Sequence, residues 1–162
     1  IKPANLKPPI PTQPTAGSQE EEIIHFIMEQ YGFNLEDLMK KQNLALEEHK
    51  GQIILTPRLI SEKFNELPWI SCGMRLGKPI PGGWQPSHAF AARFGDRFTR
   101  GIIYLDDSDV ENWIKGADIR GFESEPVQLG KVFAIRDHME RNLGLGKALE
   151  KRLRNLLPTR LF

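Results

Sequence analysis

Short apolar runs broken by glycine occupy the carboxyl-terminal half of this chain and constrain its fold most strongly. They lie at 102–105, around 118–122, at 128–136 and within 142–158. Runs this short, each followed by turn-forming residues, are typical of antiparallel sheets and small barrels. We therefore predict a small, mixed but mostly antiparallel, barrel-like sheet with short helices at its ends.

Helical patterns surround this sheet. Apolar residues recur at helical spacing after Ser18, which forms a capping-box pattern with Glu21. Asn34 is placed to cap a second helix, residues 86–87 to start another, and the acidic residues 106–109 to start one more. The combination of helices with short strands predicts an α+β protein.

The first half also contains strand patterns. Two apolar runs flank the glycine-containing turn 49–51, which predicts a hairpin. A further strand is expected at 67–76, followed by a loop at 78–83 because proline and glycine fill that segment. We predict a small α/β subdomain over 18–80 and a second, barrel-like domain over 81–162.

The first 17 residues are rich in proline and contain few large apolar side chains. Such a segment buries too little surface to offset the entropy of ordering it, so a proline-rich linker is expected over 1–17. The chain begins with Ile1 rather than Met, and we expect a trimmed chain or one part of a longer polypeptide.

Charge is distributed in bands, although the net charge is only +1. Segments 67–100 and 141–162 carry about +4 and +5, whereas segments 20–66 and 101–140 carry about −5 each. Such banding is expected of a protein with one basic face and one acidic, solvated face. Nucleic acid is the commonest partner of a basic face of this kind.

Composition disfavours several other classes of protein. No apolar run approaches the roughly 20 residues that span a bilayer, so no membrane association is predicted. The single Cys72 cannot form an internal disulfide, which favours a reducing, cytoplasmic location. The four histidines are far apart and lack a cysteine or paired carboxylate at ligand spacing, so no metal site is predicted.

The stretch 142–158 concentrates basic charge behind two glycines. Gly144 and Gly146 free the backbone to approach a ligand closely, and Lys147 and several arginines follow. A nucleoside-triphosphate loop is not predicted, because the earlier glycine and the following Ser or Thr that it requires are missing. Composition alone leaves nucleic-acid binding and a merely solvated basic face equally open.

No catalytic arrangement is recognisable in the sequence. Ser87 and His88 are neighbours and point in different directions on a helix, so Ser87 is interpreted as a helix cap. The acidic cluster 106–111 is explained by the dipole of the helix that it starts. Among the three tryptophans, Trp84 lies beside two glycines in the predicted loop and is the one expected to be exposed.

Several of these residues occur in an order that resembles a known family. The motifs are Met74-Arg-Leu-Gly77, Trp84-Gln-Pro-Ser-His-Ala-Phe-Ala91, Gly144-Leu-Gly-Lys147 and Arg152-Leu-Arg-Asn155. Together they resemble the carboxyl-terminal region of bacterial Sun-family RNA cytosine-5 methyltransferases, in the branch of the small-subunit rRNA methyltransferase F type. The resemblance implies a small helix-and-strand subdomain followed by a PUA-like domain, the RNA-binding fold of pseudouridine synthases and archaeosine transglycosylases.

The resemblance also implies which residues contact RNA. The segment that links the two subdomains would contribute Arg75, Lys78, Ser87 and His88, and the terminal barrel strands would contribute Gly144, Gly146, Lys147, Arg152, Arg154 and Asn155. Alternate residues of a strand face opposite sides. We therefore expect Lys147, Arg152 and Arg154 to share one RNA-facing surface.

Enzymes of this family transfer a methyl group from S-adenosylmethionine and use a glycine-rich cofactor loop and two catalytic cysteines. The chain shows neither feature. We therefore predict no catalytic residue, no cofactor and no enzymatic activity for this chain alone, and we expect S-adenosylmethionine in the catalytic domain of its parent protein.

The predicted function is an RNA-binding tail, monomeric and cytoplasmic, that positions rRNA for a methyltransferase catalytic domain of the same polypeptide. Two alternatives stay open. One is a protein-interaction module that docks on a ribosomal or assembly partner. The other is a free-standing enzyme with an unrecognised site.

Overall fold

Helices and strands alternate along the residues described by the computed structural model, which are 13–14, 17–64, 72–81 and 83–158. The helices are α1 (Gly17–Tyr31), α2 (Leu35–Gln42), α3 (Arg58–Lys63), α4 (His88–Phe94) and α5 (Asp107–Ile114). The strands are β1 (Gln13–Pro14), β2 (Leu44–His49), β3 (Gln52–Pro57), β4 (Met74–Ile80), β5 (Gly83–Pro86), β6 (Ile102–Leu105), β7 (Ile119–Arg120), β8 (Val132–Asp137), β9 (Asn142–Leu149) and β10 (Arg152–Asn155). Single 3-10 turns lie at Gly95–Arg97 and Pro126–Gln128.

The strands form two five-stranded sheets. The first sheet has the order β1-β2-β3-β4-β5 and is antiparallel throughout. The second has the order β6-β8-β9-β10-β7, in which β6 and β8 run parallel and the other neighbours run antiparallel. The α+β class and the mixed, mostly antiparallel second sheet are therefore confirmed.

Three of the local capping signals in the sequence are confirmed, whereas the cap predicted at Ser18 is not, because α1 already begins at Gly17. The side chain of Asn34 accepts a hydrogen bond from the backbone N–H of Asp37 at 2.9 Å and so caps α2. The hairpin of β2 and β3 turns at residues 50–51. Helix α5 begins directly after Asp106, and Ser87 caps α4. Each signal involves neighbours in sequence, which explains why it can be recognised before the fold is known.

Two predictions in the first sheet are wrong. The predicted loop 78–83 is largely strand, because β4 continues to Ile80 and β5 begins at Gly83. Pro79 is tolerated because the pairing of β4 with β3 extends only as far as Gly77, so the proline interrupts no ladder there. The strand expected at 67–76 begins at Met74, and residues 65–71 lie outside the described residues.

Trp84 is buried rather than exposed. Only 5% of its surface is accessible, because it belongs to β5 and packs into the first core. A Cβ atom on Gly77 would lie 2.7 Å from the indole ring, so glycine at that position makes room for the ring. The exposed-tryptophan prediction fails because the loop on which it depended is a strand.

The predicted linker is described only at residues 13–14 and at Gly17. Gln13 and Pro14 form β1, which pairs with β2, and Gly17 begins α1. The remainder of the linker lies outside the described residues. The predicted division into 18–80 and 81–162 stays a prediction, and β5 extends the first sheet to Pro86.

The first core lies between the first sheet and helices α1, α2 and α4. Its centre is a cluster of four aromatic rings, contributed by Phe33, Phe90, Phe94 and Phe98. The ring centroids of the contacting pairs lie 5.3 to 5.9 Å apart. Aromatic pairs at such distances contribute about 0.5–1.5 kcal/mol each beyond burial. The cluster therefore fixes α4 against the first sheet.

The second core lies between α5 and one face of the second sheet. Trp113 of α5 is fully buried there against Ile135 and Leu153. Its indole N–H donates a hydrogen bond of 2.9 Å to the carbonyl of Leu143. The opposite face of the second sheet packs against the rest of the chain.

Tyr31 connects the first core to the second sheet. Its side chain is fully buried at the end of α1, and its hydroxyl donates a hydrogen bond of 2.8 Å to the carbonyl of Val132 in β8. Burial raises the pKa of the Tyr31 hydroxyl well above its ordinary value. The folded state therefore favours the neutral phenol.

A pH-dependent contribution to stability follows from this tyrosine. Because its folded pKa is raised, the contribution is fully present below the unfolded pKa of about 10 and declines above it by up to about 1.4 kcal/mol per pH unit. We expect Tyr31→Phe to lower the free energy of unfolding by about 1 kcal/mol at pH 8, and this difference to shrink at pH 11. Urea unfolding at both pH values measures it.

Tyr104→Phe is the matched control, since Tyr104 is the other tyrosine of the chain and its side chain is 53% exposed. It should change stability little at either pH. If the two variants showed the same pH dependence, the buried hydroxyl of Tyr31 would not have the assigned role.

Candidate nucleic-acid interface

A bulge in β4 brings two basic side chains to the same face of the first sheet. Ile54 of β3 pairs with Arg75 and Ile53 pairs with Gly77, so β4 carries one extra residue at this point. Without the bulge, Arg75 and Lys78 would face opposite sides because they are three residues apart. With it, both point away from the buried Ile53 and are exposed.

These two side chains line a cleft that opens between the first sheet and β9. The cleft has a volume of about 260 Å³. Its other lining residues are Gln52, Gly77, Gln85, Pro86, Ser87, His88, Leu145 and Leu156. All four site residues predicted in the linking segment, Arg75, Lys78, Ser87 and His88, therefore meet in one cleft.

Ser87 holds the start of α4 against β4. Its hydroxyl accepts a hydrogen bond from the backbone N–H of Phe90 at 3.0 Å and donates one to the carbonyl of Arg75 at 2.5 Å. The cap thus also fixes the backbone from which the Arg75 side chain projects. The role of Ser87 at this site is positioning.

His88 lines the cleft and contains a polar atom without a protein partner. Its Nδ1 is buried and forms no hydrogen bond within the described part of the chain. Buried polar atoms are nearly always paired. This nitrogen is therefore unsatisfied in the structure, although it is also shielded from solvent.

The hairpin of β9 and β10 carries three predicted site residues on one face. Lys147 lies directly opposite Arg154, and Arg152 lies two residues from Arg154. Directly opposite residues, and residues two apart on one strand, share a face of a sheet. Lys147 is half-buried, whereas Arg152 and Arg154 are exposed. The three side chains thus lie on one face, as strand alternation predicts.

This face adjoins the cleft. The N–H of Leu156 donates a hydrogen bond of 3.0 Å to the carbonyl of Leu145, and this pair lies two positions along the hairpin from the pair of Lys147 and Arg154. Leu145 and Leu156 both line the cleft. The cleft cations and the hairpin cations are therefore neighbours, and together they form what we call the basic surface: Arg75, Lys78, Lys147, Arg152 and Arg154.

Arg120 extends the basic surface, although the sequence analysis did not single it out. It lies directly opposite Arg152 in β7 and is exposed. Like charges in direct opposition repel, and Asp118 offsets part of this repulsion with a carboxylate 3.5 Å from the Arg152 guanidinium. The described residues offer no such ion pair to Lys147 or Arg154. These two are therefore the more available cations of the hairpin.

Asn155 is used inside the fold. Its amide nitrogen donates to the carbonyls of Trp113 and Ala117 at 2.8 and 3.2 Å, and its amide oxygen accepts the N–H of Leu157 at 2.8 Å. These bonds hold the end of α5 and the end of β10 together. We therefore leave Asn155 out of the basic surface.

The two glycines of the basic stretch are buried and pack against apolar side chains. At Gly146, a Cβ atom would lie 2.9 Å from the Trp113 ring and 3.0 Å from Ile135. Gly144 has a φ of +96°, and a Cβ there would lie 2.6 Å from Leu157. The structure gives both glycines a packing role, and their predicted role in RNA binding stays a prediction.

A substitution at Gly146 tests whether this glycine acts in core packing or in RNA binding. We expect Gly146→Ala to lower the free energy of unfolding by about 1–3 kcal/mol, because the new methyl group overpacks the second core. RNA affinity of the folded variant should be unchanged. Chemical denaturation and binding titration of the same preparation measure both quantities.

Gly17→Ala is the matched control, because nothing lies within 4 Å of a Cβ at that helical position. It should be neutral or slightly stabilising. A Gly146→Ala variant with unchanged stability and weakened RNA binding would instead support backbone contact with RNA at this glycine.

Metal and membrane readings receive no support from the described residues. They contain no group of three or more His, Cys, Asp or Glu side chains placed to hold a metal ion. Among them, no helix is both long enough and apolar enough to cross a bilayer.

Two further residues line the cleft, Gln52 and Gln85, and the sequence analysis gave no reason to single them out.

Comparison with known proteins identifies relatives of this chain. No protein-family model matches it. Three curated proteins, each named ribosomal RNA small subunit methyltransferase F, are similar to most of it. That of Aeromonas salmonicida is 26% identical over 110 residues, which cover 68% of this chain and 22% of the relative. The protein of Psychromonas ingrahamii is 26% identical over 121 residues, covering 72% and 24%, and that of Aeromonas hydrophila is 26% identical over 110 residues, covering 68% and 22%.

The chain therefore spans about a quarter of the length of these curated relatives. Among solved structures, a hypothetical protein of the archaeon Pyrococcus horikoshii aligns with a TM-score of 0.54 at 14% identity. The alignment covers 93% of this chain and 97% of the archaeal protein, so the shared fold includes both sheets. The resemblance carried by the sequence motifs is confirmed: this chain is similar to one part of the ribosomal RNA small subunit methyltransferase F proteins.

Proposed function

We propose that this chain binds RNA and positions rRNA for the methyltransferase catalytic domain of a longer polypeptide. The observation that carries the proposal is the basic surface, in which two cations of the first sheet line the cleft and three cations of the second sheet lie on the adjoining face of the hairpin of β9 and β10. The names of the curated relatives support rRNA as the nucleic acid. On this proposal the chain acts as a monomer in the cytoplasm.

Closely spaced cations of this kind raise the affinity for nucleic acid but do not distinguish one nucleotide sequence from another. Lys and Arg side chains neutralise phosphates and release condensed counterions, which makes the affinity depend steeply on salt. Phosphate contacts also fix the orientation of the nucleic acid. Tethered to a catalytic domain, such a surface raises the effective concentration of rRNA at the active site.

S-adenosylmethionine is assigned to the catalytic domain of the parent protein. The cleft does not fit this cofactor, because its charged lining residues, Arg75 and Lys78, would repel the sulfonium cation. Among the described residues, no carboxylate lines the cleft to accept the ribose hydroxyls. We assign this chain no catalytic residue and no step of methyl transfer.

Removing the hairpin cations tests the proposal. We expect the triple variant Lys147→Ala, Arg152→Ala, Arg154→Ala to bind an rRNA hairpin at least roughly tenfold more weakly at low salt, because up to three phosphate contacts are lost. The slope of log affinity against log salt should decrease in magnitude by about 2. Fluorescence anisotropy at several salt concentrations measures both.

The control removes the same charge elsewhere. Lys40, Lys41 and Lys115 are exposed and form ion pairs within their own helices, so their replacement by Ala should leave the slope unchanged. If both triple variants reduced the slope equally, net charge alone would explain binding and the surface assignment would fail.

A competition titration separates RNA binding from docking on an acidic protein. If heparin and rRNA competed equally for the chain, docking on an acidic protein would be favoured instead.

A further inference from the structure

We propose that the cleft is a binding site for one unpaired nucleotide of an RNA strand. The inference rests on the proposed RNA binding and adds to it the kind of RNA: single-stranded where it meets the cleft. Phosphate contacts alone would accept a duplex equally well, whereas the lining of this cleft is suited to a base.

Polar side chains form a row across three strands on the cleft wall. Lys78 of β4 lies directly opposite Gln85 of β5. Gln52 of β3 directly precedes Ile53, the partner of Gly77, so it faces the same side as Lys78. Each glutamine amide offers two donors and an acceptor. Such amides can hydrogen-bond the Watson–Crick edges of bases, which a single strand exposes and a duplex hides.

The size and the apolar part of the cleft fit a single base. Its volume of about 260 Å³ lies below the 300–1,000 Å³ that is typical of sites for drug-sized ligands. This volume suits a small ligand such as a single base. Pro86, Leu145 and Leu156 form the apolar wall against which the flat face of a base would pack.

Three further side chains line the cleft: those of Arg75, Lys78 and His88. The Nδ1 of His88 has no hydrogen-bond partner among the residues described, but it is shielded from solvent, so this nitrogen is not itself a sign of a ligand. On this proposal, Arg75 and Lys78 contact the phosphates on either side of the bound nucleotide.

The test uses three RNA hairpins of identical length: one fully paired, one with a single bulged nucleotide and one with an abasic bulge. The protein should bind the bulged hairpin roughly tenfold or more tightly than either of the others. The variant Gln52→Met, Gln85→Met should lose this preference and keep the salt dependence of wild type. Fluorescence anisotropy supplies the affinities, and thermal unfolding confirms that the variant is folded.

Gln30→Met with Gln42→Met is the control, because neither residue lines the cleft. It should keep the preference for the bulged hairpin. Gln85→Ala alone is a second test variant and should lose part of the preference.

Two outcomes overturn the inference in distinguishable ways. Equal binding of all three hairpins, with a normal salt dependence, would contradict the nucleotide site and leave RNA binding intact. A preference that survives the loss of both glutamines would place base recognition elsewhere. The absence of salt-dependent RNA binding would contradict the proposed function itself.

Discussion

The packing of α4 between the two sheets is the contact on which the proposed RNA surface depends. Phe90 and Phe94 face the aromatic cluster of the first core, and Ala91 packs against Leu145 of β9. The side-chain amide of Asn142 then donates a hydrogen bond of 2.7 Å to the carbonyl of Ala91. Because one short helix is held from both sides, the cleft between the sheets has a defined width, and the cations around it have a defined spacing.

Some cations of this chain are structural and lie outside the basic surface. Arg136 is buried and donates to the carbonyls of Gly95 and Phe98 at 2.6 and 3.0 Å. Arg141 pairs with Asp137; burial acts to raise the pKa of that carboxyl, but the hydrogen bonds and charge of Arg141 outweigh it and hold the pKa below its ordinary value. These cations stabilise the fold. Counting positive charge along a sequence therefore overestimates the surface that is available to nucleic acid.

Sequence reasoning succeeded where structure depends on near neighbours, as at the helix caps and in the alternation of Lys147, Arg152 and Arg154. It failed where distant segments decide the outcome. The bulge that aligns Arg75 with Lys78 exists only in the pairing of β4 with β3. Likewise, Arg120 joins the basic surface only through the pairing of β7 with β10, a contact between strands distant in sequence.

Photo-crosslinking of a hairpin RNA with 4-thiouridine at a single bulged position tests the central claim most directly, because it reports which residues surround that nucleotide. Mass spectrometry of the digested complex identifies the crosslinked peptides. The account predicts crosslinks in β4 and β5, near Lys78 and Gln85, and in β9 near Leu145. Crosslinks confined to α2 or to the acidic first turn of α5 would contradict it.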